Sequence, residues 1–158
     1  MLIDSKGRLQ IGDFGFACDN LSSLNEEQIL LSKTANVGSE EYNAPELFER
    51  TQGTYDGVKA DIFSAGVTLF LMLTKCPPFR SASSKDPYFR RLSSSDKKSY
   101  WKIFKGFDID DCFRHLFESI IERDPRLRLN IDQVRAHEWF KRKCLTESEL
   151  EHEIESRS

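Results

Sequence analysis

Apolar and polar positions follow two different rhythms along this chain. Leu2-Ile3 and Leu9–Ile11 are short apolar runs on either side of Ser5-Lys6-Gly7, a turn signal. That pattern predicts a β-hairpin, with Asp13 directly after its second strand. Residues 17–43 are polar and predict a long loop, which in a compact domain is usually functional or disordered. From Ala44 onward the rhythm is helical. Pro45-Glu46-Leu47-Phe48 suits a helix start with proline in the first turn. The run Ile62 to Leu73, inside 59–74, is apolar nearly all round apart from Ser64 and Thr68. It is short of the roughly 20 residues that cross a bilayer, and Pro77-Pro78 ends it, so it predicts a buried axis. Residues 80–96 are rich in Ser, Lys, Arg and Asp and predict an exposed insertion. Phe113, Leu116, Phe117, Ile120 and Ile121 share one helix face, capped by Asp110 or Asp111. Asn130-Ile131-Asp132-Gln133 and Thr146-Glu147-Ser148-Glu149 each predict a capping box. The second opens a charged tail that has only Leu145, Leu150 and Ile154 to bury. No internal repeat is visible. The expected fold is mainly α, with one N-terminal hairpin that must lie on the helices because it is too small to stand alone.

Composition narrows the function classes. At 158 residues the chain is long enough for one domain with a core. The net charge of −3 gives no support for a nucleic-acid or membrane partner. Cys18, Cys76, Cys112 and Cys144 are scattered without a C-x-x-C pair. That argues against a metal site or a disulfide framework and for reduced thiols in the cytoplasm. No signal peptide is evident at the N-terminus.

Five motifs carry the candidate chemistry. Asp13-Phe14-Gly15 follows the hairpin. Val37-Gly38-Ser39-Glu40-Glu41-Tyr42-Asn43-Ala44-Pro45-Glu46 closes the polar loop. Asp61-Ile62-Phe63-Ser64-Ala65-Gly66-Val67 opens the apolar axis. Asp124-Pro125-Arg126-Leu127-Arg128 and His137-Glu138-Trp139-Phe140 come later. Alone, each has a plain reading: a strand-end Asp, a loop serine, an N-cap Asp61, aromatic packing. Together, in this order, they resemble the protein kinase family of the Ser/Thr type, over residues 1–140. Phe63 stands where that family more often has Trp. The resemblance implies the helical C-terminal lobe of the kinase fold, as an incomplete domain, followed by a charged helical tail at 141–158.

What the resemblance implies can be given residue by residue. The activation segment would run over 13–46. Asp13 would hold Mg²⁺ on the phosphates of ATP, with Phe14 packing under the site and Gly15 letting the backbone turn. Ser39 would position the acceptor hydroxyl and Tyr42 would wall the site beside it. Gly38, Ala44, Pro45 and Glu46 belong to the same segment, as does Thr34, the candidate phosphorylation site in its polar loop. Glu46 would pair with Arg128, and Asp61 would hold the backbone of the catalytic loop. The parent activity would be phosphoryl transfer from ATP to Ser or Thr of a protein substrate, with a regulatory protein as a further partner. The family's Gly-rich phosphate loop, strand lysine, helix glutamate, catalytic Asp and second Mg²⁺ ligand are not among these residues. The sequence therefore reads as a truncated, inactive portion of such a kinase. The alternatives are a non-catalytic protein-binding module and the lobe of a pseudokinase.

Overall fold

A computed structural model describes residues 2–4, 7–17, 30–32, 38–48 and 54–157. The chain opens with β1 (Leu2–Ile3) and β2 (Leu9–Gln10), antiparallel, with Leu2 opposite Gln10 and Ile3 opposite Leu9. Ser5 and Lys6 of the expected turn, Cys18 and Thr34 lie outside the described residues.

A second small sheet pairs a stretch of the expected polar loop with one where the rhythm is helical. β3 (Leu30–Ser32) pairs antiparallel with β4 (Thr54–Asp56), Leu31 opposite Tyr55. Three-residue strands whose partner lies more than twenty positions away leave no local signal; their pairing is a tertiary event. Between them stands α1 (Pro45–Phe48), a single turn with Pro45 buried.

The axis of the molecule is α2 (Gly57–Thr74). Asp56 caps it by accepting a hydrogen bond from Lys59 N at 3.0 Å. The N-cap is therefore Asp56, and the plain reading of Asp61 as a cap is wrong; Asp61 lies inside the helix. The helix ends at Lys75, left-handed with φ 58°, whose N–H bonds Leu71 O at 2.7 Å. By length and hydropathy α2 could cross a bilayer. Its apolar face is instead covered by protein: Ile62, Phe63, Val67 and Phe70 are buried in the core. Leu71, part of the expected buried axis, is only half-buried, because the core wraps one side of the helix rather than all of it.

The segment after α2 corrects a second expectation. Residues 80–96 are not simply an exposed insertion. They contain α3 (Pro87–Leu92), which sends Phe89 and Leu92 into the core beside Phe79 and Ala82. Buried Asp86 organises the turn: its carboxylate accepts Tyr88 N, Phe89 N and Arg80 N at 2.8, 2.9 and 3.0 Å. The anchors are i and i+3 in a helix otherwise rich in charge, so composition hid them. α4 (Lys97–Trp101) runs into a 3₁₀ turn, Lys102–Phe104. Then α5 (Asp111–Ile120) packs on α2, with Asp110 as its cap, bonded to Phe113 N at 3.0 Å. The Phe70 ring lies 4.7 Å from Phe117 and 4.9 Å from Phe104, centroid to centroid. Phe79 meets Phe89 edge-on at 5.1 Å. Such pairs add to the stability that their burial supplies.

α6 (Ile131–Ala136) carries the expected capping box, Asn130 and Gln133 exchanging two bonds of 2.8 Å. Glu138–Lys141 form a 3₁₀ turn that brings Trp139 within 5.7 Å of Phe113. The last element is α7 (Glu147–Arg157).

α2 and α5 approach closely at Gly66. A Cβ there would overlap Ile120 and lie 3.1 Å from Ile121 Cδ1. Gly66→Val is expected to lower the stability of the 158-residue chain by about 1–3 kcal/mol, the usual cost of overpacking. Urea denaturation followed by circular dichroism checks this, and an unchanged midpoint would mean the helices are free to part.

Candidate functional site

The site starts at the hairpin. Its turn is closed by Asp4 N to Arg8 O at 3.0 Å and Gly7 N to Asp4 O at 2.9 Å. Gly7 takes a left-handed φ of 75° that favours a residue without Cβ. Beyond β2 the chain reaches Asp13, which is itself left-handed at φ 66°, ψ 72°. Phe14–Phe16 then form a 3₁₀ turn, closed by Ala17 N to Phe14 O at 3.0 Å. The sequence placed the special backbone position at Gly15; the structure places it at Asp13. Asp tolerates this region better than most side chains do, and such outliers concentrate at functional sites. The Asp13 carboxylate is exposed, and among the described residues it makes no hydrogen bond or ion pair. Phe14 was expected to pack under the site. It is 68% exposed, because none of the described residues covers it.

The second part of the site is the stretch from Gly38 to Glu46. Gly38 turns with φ 82°. Tyr42 N then bonds Ser39 O at 3.1 Å, forming a tight turn with Ser39 exposed and Tyr42 half-buried. Ser64 of α2 donates its hydroxyl to Tyr42 O at 2.8 Å and so ties this turn to the central helix. Sequence reasoning assigned no role to Ser64; its only signal was a hydroxyl in an otherwise apolar run. Ala44 and Pro45 are buried, which fixes where Glu46 enters the interior.

Glu46 meets Arg128 there. Arg128 Nη1 donates to Glu46 Oε1 at 2.8 Å and Nη2 to Oε2 at 3.0 Å, a two-pronged pair. The Arg128 side chain is 0% exposed and that of Glu46 13%. Two further guanidinium donors are also used. Nε bonds Glu122 O at 3.1 Å and Nη1 also bonds Lys59 O at 2.6 Å. The guanidinium lies 5.0 Å over the Phe63 ring. In return, Lys59 Nζ donates to Arg128 O. A buried charge needs this degree of satisfaction to be tolerated.

Asp61 lies one turn into α2. It is exposed by surface area, yet enough protein surrounds its carboxylate that desolvation raises its pKa above the ordinary value. Among the described residues nothing donates to it. The fold thus joins Glu46 to Arg128 and Tyr42 to Ser64. No hydrogen bond links Asp13 to Ser39, Tyr42 or Asp61. Among the described residues no cluster of three or more His, Cys, Asp or Glu could hold a metal by itself.

A central apolar helix, an aspartate-bearing hairpin and a Glu46–Arg128 latch together have the build of the helical lobe of a protein kinase domain. The protein kinase domain model matches residues 1–140, so the chain belongs to the protein kinase family, with relatives of the eukaryotic Ser/Thr type. CBL-interacting protein kinase 5 of Oryza sativa subsp. japonica is 32% identical over 90% of this chain and 28% of its own length. The serine/threonine-protein kinase SAPK5 of the same plant is 34% identical over 84% of the chain and 33% of its own length. SRK2A of Physcomitrium patens is 36% identical over 84% and 35%. The chain therefore spans about a third or less of the first two of these relatives and 35% of the third.

Two substitutions test the electrostatics. Arg128→Ala is expected to cost about 3–5 kcal/mol, since it strands Glu46 in the interior. Denaturant midpoints of the two chains measure it, and equal midpoints would show that the latch carries no stability. For Asp61 the sign follows from its raised pKa. Between the unfolded and folded pKa the native state holds a proton that the unfolded state has lost, so stability falls as pH rises through this window. Asp61→Asn should therefore stabilise the chain at pH 7. Its advantage should fade as pH falls through that window and be gone below about 3.9, the ordinary Asp value. Urea titrations of both chains across that range check this; a gain that does not vary with pH would point to a cause other than the carboxylate.

Proposed function

We propose that these residues form the catalytic lobe of a kinase that transfers the γ-phosphoryl group of ATP to Ser or Thr of a protein, and that alone they are inactive. The observation that carries the reading is Asp13: an exposed carboxylate without a partner among the described residues, at the end of a hairpin, in a chain whose Gly38–Glu46 segment is latched by Arg128. A carboxylate with free lone pairs, held on a defined backbone, suits Mg²⁺, which takes one or two protein carboxylates and completes its shell with phosphates and water. Bound there with ATP, the ion would neutralise the charge of the phosphates.

The other residues would work by placement. Ser39 and Tyr42 face the acceptor, on a turn that Ser64 anchors to α2. Glu46 and Arg128 keep that turn at one height over the lobe. Asp61 would hold the loop that carries the catalytic base; its carboxylate takes no donor from the described residues. Thr34 would be the phosphorylation site that orders the loop. The printed names of relatives such as CBL-interacting protein kinase 5 support a regulatory protein as a further partner. Cys76, Cys112 and Cys144, all free thiols, support a cytoplasmic setting.

A second reading has one specific observation behind it. Leu2, Ile3, Leu9, Ile11 and Phe14 are all exposed. That apolar front suits a lobe seated upon it, but it also suits capture by another protein without catalysis. One experiment separates the readings. The 158 residues and a protein extended through a nucleotide-binding lobe are incubated with labelled ATP, Mg²⁺ and a Ser/Thr peptide mixture. The extended protein should transfer phosphate and lose at least about a hundredfold on Asp13→Asn, since positioning and charge stabilisation are most of this chemistry. The short chain should transfer none. Transfer by the short chain, lost on Asp13→Asn, would overturn the claim of inactivity. Silence of the extended protein would leave the binding module or pseudokinase.

A further inference from the structure

α7 lies beyond residues 1–140, the part that the kinase domain model matches. It is a well-started helix. Thr146 N donates to Glu149 Oε2 at 2.7 Å, and Glu149 N returns a bond to Thr146 Oγ1 at 3.3 Å. Its surface is mostly glutamate, and two apolar side chains interrupt it: Leu150 and Ile154, four residues apart on one face and partly buried. The contact at Gly7 shows what they cover. A Cβ added at Gly7 would overlap Ile154 Cδ1 and lie 3.3 Å from Leu150 Cγ and Cδ2. Two apolar side chains from one end of the chain therefore close over the bare backbone of a turn at the other end.

The hairpin depends on such a hold. Its strand residues Leu2, Ile3, Leu9 and Gln10 are all exposed, whereas Asp4 and Gly7 at the turn are partly covered. Two paired positions per strand are too few for an independent hairpin. The turn is where it is fastened, and β2 leads from that turn directly to Asp13.

We infer that Leu150 and Ile154 of α7 are positioning residues that clasp the turn at Gly7 and thereby fix the hairpin that presents Asp13. The clasp stands on the contact itself; only its consequence for nucleotide rests on the reading of Asp13 as a metal ligand. The acidic surface of the helix keeps the clasp soluble, and its small apolar footprint keeps it reversible.

Hydrogen exchange on the 158-residue chain tests the clasp without any catalysis. In the Leu150→Ala/Ile154→Ala variant, the amides of Asp4, Gly7 and Arg8 should exchange about tenfold faster or more, because exchange reads local opening. The amides of α2 and α5 should keep their rates. Unchanged hairpin exchange overturns the proposal. A cycle guards against general destabilisation. Gly7→Ala should free the α7 amides in the native chain and do so much less in the Ile154→Ala background, where the overlapping atom is gone. The left-handed strain at Gly7 is common to both arms and cancels. Equal effects in both backgrounds would also overturn the clasp.

The consequence is read in the protein extended through the nucleotide lobe. The double variant should lower kcat/KM for ATP–Mg²⁺ and leave KM for the peptide unchanged. Equal loss on both substrates would make Leu150 and Ile154 merely structural. Should the extended protein be silent before mutation, the kinase reading fails while the exchange arm still decides the clasp.

Discussion

Everything in this lobe hangs on one buried cation. Arg128 holds Glu46, and through it the end of the Gly38–Glu46 segment; it also binds the carbonyls of Lys59 in α2 and Glu122 after α5, and it covers the Phe63 ring. One guanidinium thus joins Glu46 to a position 82 residues later in the chain. Only arginine has the planar fork and the number of donors for this; lysine would satisfy one partner and strand the others. A buried pair is not an efficient source of net stability compared with apolar packing of the same volume. What it supplies is specificity, since a shifted α1 would leave both a bare carboxylate and a bare guanidinium in the interior.

Around that cation, packing and charge divide the work. Phe63, Phe79 and Phe89 form one group of touching rings and Phe70, Phe104, Phe113 and Phe117 a second, both within one buried core. Its rigidity sets the height at which the Ser39–Tyr42 turn rests, because Ser64 projects from the same helix that carries Phe63 and Phe70. The front of the lobe is built differently. The hairpin and Asp13 have little core beneath them, and their strand side chains are open to water. A lightly held element would suit the metal ligand proposed at Asp13, provided something limits its travel. The contact of α7 at Gly7 is such a limit.

Much of this was legible in the sequence, for identifiable reasons. The apolar axis, the α5 face and the Asn130–Gln133 box are local patterns, in which the residues that signal the element are the residues that form it. The Glu46–Arg128 contact is long-range, and only the family motifs pointed to it. The failures share a cause. Phe89 and Leu92 were obscured by Lys, Arg and Ser around them, although two anchors in a six-residue helix suffice for burial. β3 and β4 are too short to signal at all. The helix was expected to open near Asp61, but a chain reads its cap from the backbone bond that is satisfied, and that bond is from Lys59 N to Asp56.

The sequence by itself determined which residue types stand at each motif, and hence the chemistry on offer: a carboxylate at Asp13, hydroxyls at Ser39 and Tyr42, a cation at Arg128. It also determined the helical class of the lobe, because amphipathic period and capping are properties of neighbours in the chain. Tertiary structure alone decided that Asp13 rather than Gly15 takes the left-handed turn, that Ser64 anchors the Ser39–Tyr42 turn, and that Leu150 and Ile154 close over Gly7. Each of these depends on which surfaces meet across the fold, and distance in space is not encoded in the spacing of residues along the chain.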